Sequence, residues 1–203
     1  MAKDLKGYTM KNYVIENLFP TPIYCATLDN YKELEKELDS VLPEISFYET
    51  PSAWGKTHKV TGNKFEDNLI LECGLNLISE EIHKHVKAYC EELGSPFETY
   101  TMSSWLTLLH KGDYGQTHNH GWTDISGVYY YKTNGNDGSI FFESPAVQAS
   151  TSRSYMPCAN RWKHDPKCGK LMLFPGWLEH GITMNTTDSK RLSLSFNINF
   201  LRK

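Results

Sequence analysis

The ten residues Arg191–Phe200, RLSLSFNINF, alternate strictly between polar and apolar side chains. Because successive side chains of a strand point to opposite faces, this segment predicts a strand with one polar and one apolar face. In a one-sided sheet the polar face would meet solvent. In a barrel-like roll covered by helices, the apolar face would meet the helices and the polar face would line a cavity. The strand alone leaves both arrangements open.

Short runs of aromatic and β-branched residues, separated by turn residues, fill the second half of the chain. The predicted strands are Thr99–His110, Gly127–Lys132, Ser139–Glu143, Lys170–Phe174 and Arg191–Phe200. Many short antiparallel strands beside a helical layer are typical of the double-stranded β-helix, the jelly-roll fold shared with cupins. We therefore expect a mainly β protein with N-terminal helices.

Apolar residues at helical spacing dominate the first part of the chain. Tyr31–Leu42 predicts a helix that stops at Pro43, and Phe65–Leu93 predicts a longer one that breaks near Gly74. Between them, Ser52–Asn63 has neither a helical nor a strand period and is predicted to be a polar loop.

No linker separates the predicted helices from the predicted strands. A chain of 203 residues fits one domain. We therefore expect a single domain over residues 1–203, with 1–96 as a mostly helical outer layer and 97–203 as the jelly-roll core.

The composition excludes several classes of partner. A net charge of −3 gives no electrostatic attraction to nucleic acid or to an anionic membrane. No apolar run approaches the roughly 20 residues that span a bilayer, and the N-terminal segment lacks the apolar core of a secretory signal. Five widely spaced cysteines indicate reduced thiols rather than a disulfide framework. We expect a cytoplasmic protein without a nucleic-acid or membrane partner.

Three histidines form a candidate metal site. His118 and His120 lie two residues apart and would share one face of an extended segment. Far downstream, a predicted strand followed by a Pro-Gly turn would deliver His180. Two ligands from one strand end and a third from a distant strand suit a facial metal site, which leaves positions open for cosubstrate and oxygen. Two histidines alone are weak evidence for a metal site. The prediction therefore depends on the third histidine and on a nearby arginine.

Arg191 and Ser193 lie on the polar face of the last predicted strand, shortly after His180. A guanidinium paired with a hydroxyl suits the remote carboxylate of a dicarboxylic acid, since the guanidinium fork binds both carboxylate oxygens. The plain alternative is a surface arginine that pairs with Asp188.

Three motifs carry a resemblance to a known family. HxH at 118–120 is followed by SGVYY, LFPxWxxH spans 173–180, and RxSxSFN spans 191–197. The two stretches that contain them, Trp105–Pro145 and Gly169–Phe200, resemble the 2-oxoglutarate/Fe(II) oxygenase family related to prolyl 4-hydroxylases, common in marine bacteria and phages. Phe19–Tyr24 also resembles the opening of that family, so the resemblance covers nearly the whole chain.

The resemblance implies a jelly-roll fold, Fe(II) as cofactor, 2-oxoglutarate as cosubstrate and O2. Arg191 and Ser193 would hold the far carboxylate of 2-oxoglutarate. Tyr130 best matches a tyrosine that hydrogen-bonds the same carboxylate in related hydroxylases, although it could equally be a core aromatic. The implied reaction is hydroxylation of an unknown substrate, such as a prolyl residue, with no side chain acting as acid or base beyond the metal site.

One position departs from the wider superfamily, which usually reads His-x-Asp and so supplies two histidines and a carboxylate. Here the third position of that motif is His120, and Asp124 follows four residues later. Cupins use His-x-His with a nearby acid, so His118, His120, Asp124 and His180 are all candidate ligands. We expect His118 and His180 most firmly, then His120, then Asp124.

Two other functions stay open at this point. One is a cupin-type metalloenzyme that does not use 2-oxoglutarate, and the other is a non-enzymatic jelly-roll binding module. The substrate would be a small molecule or a peptide, and a homodimer is left open. Gln148–Lys167 lacks periodicity and is predicted to be a loop that could act as a lid.

Overall fold

The structure, a computed structural model, describes residues 20–50, 54–62, 67–146 and 161–201. The predicted lid therefore lies largely outside the described residues. No helix in the described ranges is both long enough and apolar enough to cross a membrane.

In the part of the chain that the structure describes, three α-helices precede the long strands. They are α1 Tyr31–Val41, α2 Leu69–Glu72 and α3 Asn76–Glu92, and a 3₁₀ turn follows α1 at Leu42–Glu44. The predicted break near Gly74 is present, because that residue has φ of 64° between α2 and α3. A positive φ is readily adopted by glycine and lets the chain change direction there.

Within the described ranges, eleven strands form two antiparallel sheets. The strands are β1 Tyr24–Thr27, β2 Tyr48–Glu49, β3 Lys59–Val60, β4 Tyr100–Leu109, β5 Gly115–His118, β6 Ile125–Lys132, β7 Ile140–Glu143, β8 Arg161–His164, β9 Lys170–Pro175, β10 His180–Ile182 and β11 Arg191–Phe200. The larger sheet has the order β1-β9-β6-β11-β4-β3-β2, and the smaller sheet has the order β5-β10-β7-β8. This mainly antiparallel architecture confirms the predicted fold class.

β11 lies in the middle of the larger sheet and pairs with β4 over its whole length, from Arg191 opposite Leu109 to Phe200 opposite Tyr100. Its other edge pairs with β6. Its apolar residues pack with the helices in one buried cluster, whereas its polar residues face the opposite way. The arrangement with a polar face turned towards a cavity is therefore the observed one.

The helices cover the outer face of the larger sheet. Buried apolar residues of α1 and α3 share one cluster with the sheet, and its members include Leu34, Leu38, Ile78, Ile82, Val86, Leu194, Phe196 and Ile198. Burying such side chains stabilises each by about 1.5–3 kcal/mol. The helices thus take up the apolar side of the sheet and leave its polar side for the interior of the roll.

The first hundred residues also supply three strands that the sequence did not predict. β1 pairs with β9, and β3 joins the edge of β4 within the segment expected to be a polar loop. These strands have only two to four residues, which is too short to establish an alternating pattern. The division of one domain at residue 96 stays a prediction.

Gly127 provides a test of the packing between β6 and β11. It lies opposite Phe196, and a Cβ at this position would come 2.2 Å from the Cζ of that ring. We expect Gly127→Ala to lower the free energy of unfolding by about 1–3 kcal/mol, because the ring must leave its place. Denaturant unfolding measures the change. The loss should shrink in a Phe196→Leu background, and an equal loss in both backgrounds would contradict the proposed clash.

Candidate functional site

Neighbouring strands of the smaller sheet bring the candidate histidines together. His118 ends β5 and His180 begins β10, and the two residues are directly paired in the antiparallel register. His120 lies just beyond β5, where its backbone N–H donates to Gly176 O at 2.9 Å. One candidate ligand atom from each of the three rings lies within 4.8 Å of the other two. One ion could therefore contact all three.

Backbone carbonyls orient two of these rings. Nδ1 of His118 lies 2.7 Å from Gln116 O, and Nδ1 of His180 lies 2.8 Å from Leu178 O. A carbonyl can only accept, so each neutral ring donates through Nδ1–H and keeps a free lone pair on Nε2. This is the arrangement usual for a metal-binding histidine.

Burial keeps the three imidazoles neutral. It lowers the pKa of His118, and it lowers the pKa of His120 to about 4, with His118 adding to the effect. Burial likewise lowers the pKa of His180 to about 3, and His118 and His120 add to the effect. At neutral pH all three rings therefore offer lone pairs, which a divalent metal needs.

Asp124 has another partner in the structure. Its Oδ2 accepts a hydrogen bond from the backbone N–H of Phe200 at 2.8 Å. It does not belong to the cluster formed by the three histidines. The structure thus ties Asp124 to the end of β11, and its role as a metal ligand stays a prediction.

A cavity of about 290 Å³ lies between the two sheets. The three histidines line it together with Tyr130 and Arg191. Most of the remaining wall is apolar or aromatic and includes Trp54, Val60, Trp105, Val128, Ile140, Phe174 and Ile182. A mostly apolar cavity with a few convergent polar groups is typical of a small-molecule site.

Arg191 is a buried cation without an ion-pair partner in the described part of the chain. Only 1% of it is exposed, and Nη1 donates to Gly138 O at 2.7 Å while Nε has no partner. Asp188 instead pairs with Lys111 at the surface, at 3.0 Å. The alternative of a surface arginine bound to Asp188 is therefore wrong. Asp137, a buried carboxylate, interacts with Arg191 electrostatically but forms no salt bridge with it. A buried cation without a salt bridge is costly, so this site suits an anionic ligand.

Ser193 lies beside Arg191 rather than on the cavity wall. Its Oγ accepts a hydrogen bond from Arg191 Nη2 at 3.2 Å, and the residue is fully buried. It is absent from the residues that line the cavity. The observed contact orients the guanidinium, and direct contact of Ser193 with a cosubstrate stays a prediction.

Tyr130 presents a second unpartnered group. Its side chain is fully buried, its hydroxyl has no hydrogen-bond partner among the described residues, and its ring lies 5.2 Å from the Arg191 guanidinium carbon. Burial raises the pKa of Tyr130 to about 12, against an opposing effect of Arg191, so the hydroxyl stays protonated and can donate. Buried polar atoms without partners are rare, and a purely structural aromatic would not need the hydroxyl.

The sequence did not identify two further residues of this cavity, Trp54 and His58. His58 is buried, its Nε2 has no partner, and burial lowers its pKa to about 4. The Trp54 ring packs edge-on against His118, with ring centroids 4.8 Å apart. Both come from the segment predicted to be a polar loop. The sequence signal that could have indicated a functional role was the presence of an aromatic residue and a histidine in an otherwise polar stretch.

Asp113 attaches that loop to the turn before β5. Its carboxylate accepts hydrogen bonds from Thr57 N–H at 3.0 Å and from His110 N–H at 2.8 Å. Burial alone would raise the pKa of Asp113, but these hydrogen bonds outweigh it and hold the pKa below its ordinary value. The ionised carboxylate thus anchors the segment that carries Trp54 and His58.

Comparison with known proteins shows which family the site-forming strands resemble. Residues 103–197, which include β5 to β10 and most of β4 and β11, match the model of the family described as "Putative 2OG-Fe(II) oxygenase". No curated protein matches the chain significantly by sequence.

Solved structures share the fold. SnoN, a non-heme alpha-ketoglutarate-dependent epimerase from nogalamycin biosynthesis, matches with a TM-score of 0.66 and 16% identity over 89% of this chain and 78% of SnoN. A Pseudomonas putida prolyl-4-hydroxylase matches with a TM-score of 0.61 and 13% identity over 89% and 94%. HygX from Streptomyces hygroscopicus, with nickel and 2-oxoglutarate bound, has a TM-score of 0.61 and 11% identity over 88% and 83%.

Residues 103–197 thus match the 2-oxoglutarate/Fe(II) oxygenase family over most of the strands that build the site, and the solved structures share the fold. The enzymes of that family are oxidoreductases that use Fe(II), 2-oxoglutarate and O2, and the three histidines of this chain could hold the metal. The predicted family, fold class and enzyme class are confirmed.

Tyr130→Phe tests whether the Tyr130 hydroxyl serves a ligand. Removing a buried hydroxyl that has no partner should leave the stability of the ligand-free protein unchanged or raise it by up to about 1 kcal/mol. The same change should reduce the thermal stabilisation that 2-oxoglutarate and metal together confer. Differential scanning fluorimetry with and without both ligands measures the two effects. Equal stabilisation of the two proteins by the ligands would contradict a binding role for the hydroxyl.

Proposed function

We propose that the protein hydroxylates a small-molecule or peptidyl substrate, with His118, His120 and His180 as the iron ligands and Arg191 as the anchor for 2-oxoglutarate. The observation that carries the proposal is the buried guanidinium of Arg191, which forms no salt bridge among the described residues and belongs to a residue that lines the cavity of the three histidines. A dicarboxylate that reaches from the histidines to Arg191 would satisfy both ends.

The histidines fit the iron that the family uses. They are neutral and clustered within ligand distance of one another, with His180 buried and the other two half-buried, and nitrogen ligands suit Fe(II). Fe(II) with 2-oxoglutarate and O2 supplies the oxidising power for hydroxylation, and 2-oxoglutarate leaves as succinate and CO2. The side chains of the protein hold and orient the reactants, and none is required as a general acid or base.

Arg191 and Tyr130 would bind the far carboxylate of 2-oxoglutarate. Nε of Arg191 and the hydroxyl of Tyr130 are both buried donors without partners among the described residues, and both residues line the cavity. Ser193 and Gly138 O hold the guanidinium in place, so little side-chain entropy is lost when the anion binds. Apolar walls such as Trp105 and Phe174 limit water beside the reacting groups.

The substrate would meet the wall supplied by Trp54 and His58, on the side of His118. Trp54 contacts that ring directly, and Nε2 of His58 is an unpartnered polar atom in the cavity wall. A prolyl residue fits the resemblance to prolyl hydroxylases and is the substrate we propose to assay first. The cytoplasmic location, the homodimer and the absence of a nucleic-acid partner stay predictions.

A cupin-type enzyme that ignores 2-oxoglutarate would not need a buried arginine in this cavity. The cluster of three neutral histidines disfavours a metal-free binding module, because their close approach would serve no purpose there. The resemblance to the oxygenase family over residues 103–197 also favours the 2-oxoglutarate reaction.

Arg191→Met tests the anchor. We expect the KM for 2-oxoglutarate in O2-dependent succinate formation to rise about 10- to 100-fold, the loss expected for a charge-assisted hydrogen bond. Lys111→Met removes one positive charge at the surface and should leave this KM unchanged. If both variants kept the wild-type KM, Arg191 would not be the anchor.

A second test decides the third iron ligand. We expect His120→Ala to weaken Fe(II) binding strongly, while Asp124→Asn, which keeps an oxygen for the Phe200 N–H, should bind Fe(II) within about threefold of wild type. Anaerobic equilibrium titration of the metal-free proteins measures both. The reverse order of affinities would assign the third position to Asp124.

A further inference from the structure

His120 differs from the other two histidines in the partner of its Nδ1. His118 and His180 each face a backbone carbonyl, whereas Nδ1 of His120 lies 3.2 Å from Nδ2 of Asn197 on β11. Asn197 is only 3% exposed. The following inference rests on the proposed role of His120 as an iron ligand.

A hydroxyl holds the other side of the Asn197 amide. Ser126 on β6 lies directly opposite Asn197 in the strand register, and its hydroxyl donates to Asn197 Oδ1 at 2.9 Å. In this orientation the amide offers its NH₂ group to His120 Nδ1, which must then accept. The proton of the neutral imidazole is left on Nε2, and that nitrogen cannot bind a metal in this state.

Reversing the amide gives the opposite result. Rotation of the Asn197 amide by half a turn would present Oδ1 to His120 and Nδ2 to Ser126. A hydroxyl oxygen accepts as well as it donates, so Ser126 can partner either orientation. His120 would then donate through Nδ1–H and free Nε2 for the metal. The carbonyls beside His118 and His180 permit only the metal-binding tautomer, whereas the pair Ser126–Asn197 permits both.

We propose that Asn197 is the positioning residue that makes His120 the third metal ligand, by reversing its amide when the metal binds. In the metal-free protein the Ser126 hydroxyl donates to Asn197 Oδ1. After the reversal, the Ser126 oxygen would accept a hydrogen bond from Asn197 Nδ2. The metal site thus has two ligands set in advance by the backbone and a third set by a reversible side-chain contact.

Asn197 could instead be a cross-strand hydrogen-bonding residue that only stabilises the sheet. The two roles differ in what an aspartate would do. The carboxylate of Asn197→Asp can only accept, so it would favour Nδ1–H on His120 and keep the Ser126 contact. Asn197→Leu has a similar size but leaves both neighbours without a partner.

The experiment titrates metal-free proteins with Zn(II) alone, in the absence of 2-oxoglutarate and turnover. We expect Asn197→Leu to bind Zn(II) about 10- to 100-fold more weakly than wild type, the usual loss when such an outer contact is removed. Asn197→Asp should match or exceed the wild-type affinity. Asn185→Ala is the matched control, since Asn185 is a buried asparagine whose side chain bonds Ser189 and Thr187, and it should lower stability without changing Zn(II) affinity.

Long-range ¹H–¹⁵N spectra of the imidazole rings give a second readout that a merely structural role would not change. His120 of the metal-free wild type should carry its proton on Nε2 and should carry it on Nδ1 once Zn(II) is bound. In metal-free Asn197→Asp the proton should already be on Nδ1. Resonances are assigned by comparison with His120→Ala.

The outcomes separate this inference from the proposed function. If wild type bound Zn(II) no more tightly than His120→Ala, the proposed ligand set would fail. If wild type depended on His120 but Asn197→Leu bound as wild type does, or if the His120 proton stayed on Nδ1 without metal, the role of Asn197 would be overturned. Loss of affinity in Asn197→Asp equal to that in Asn197→Leu would also overturn it.

Discussion

The alternation of β11 is the constraint on which the rest of the structure depends. Because this strand is paired on both edges in the centre of the larger sheet, its register is fixed, and a slip of one residue would exchange its two faces. One face anchors the helices through Leu194, Phe196 and Ile198, and the other face carries Arg191 and Asn197. The same burial that holds the helices on the sheet therefore holds the polar side chains on the side of the three histidines.

The two sheets divide the chemistry between them. The smaller sheet supplies His118 and His180, whose rings are set by carbonyls of their own strands and connecting turns. The larger sheet supplies Arg191 and Tyr130, which offer donors without partners. Three neutral histidines would not cancel the charge of a divalent metal, and the buried guanidinium of Arg191 is also positive. The cavity would therefore carry positive charge at two places. A dicarboxylate that bridges them is the complement that the electrostatics favour, since it neutralises both.

Much of this could be predicted from the sequence because strand periodicity is local information. β11 was predicted to the residue, and His118 and His180 were singled out by their places near predicted strands. The sequence did not predict that the loop with Trp54 and His58 lines the cavity, because its position depends on the long-range contact between Thr57 and Asp113. The partner of Asp124 also lies far along the chain, at Phe200. Such pairings across 50 or more residues leave no periodic pattern.

The most direct test of the account is anaerobic titration of the metal-free protein with Fe(II) and then 2-oxoglutarate, followed by visible absorption. Chelation of the iron by the keto acid should produce a metal-to-ligand charge-transfer band that saturates at one equivalent of each ligand. The band should be absent from His180→Ala at every concentration of 2-oxoglutarate. A wild-type protein that binds Fe(II) yet shows no band with 2-oxoglutarate would contradict the central claim that the three histidines and Arg191 form one cosubstrate site.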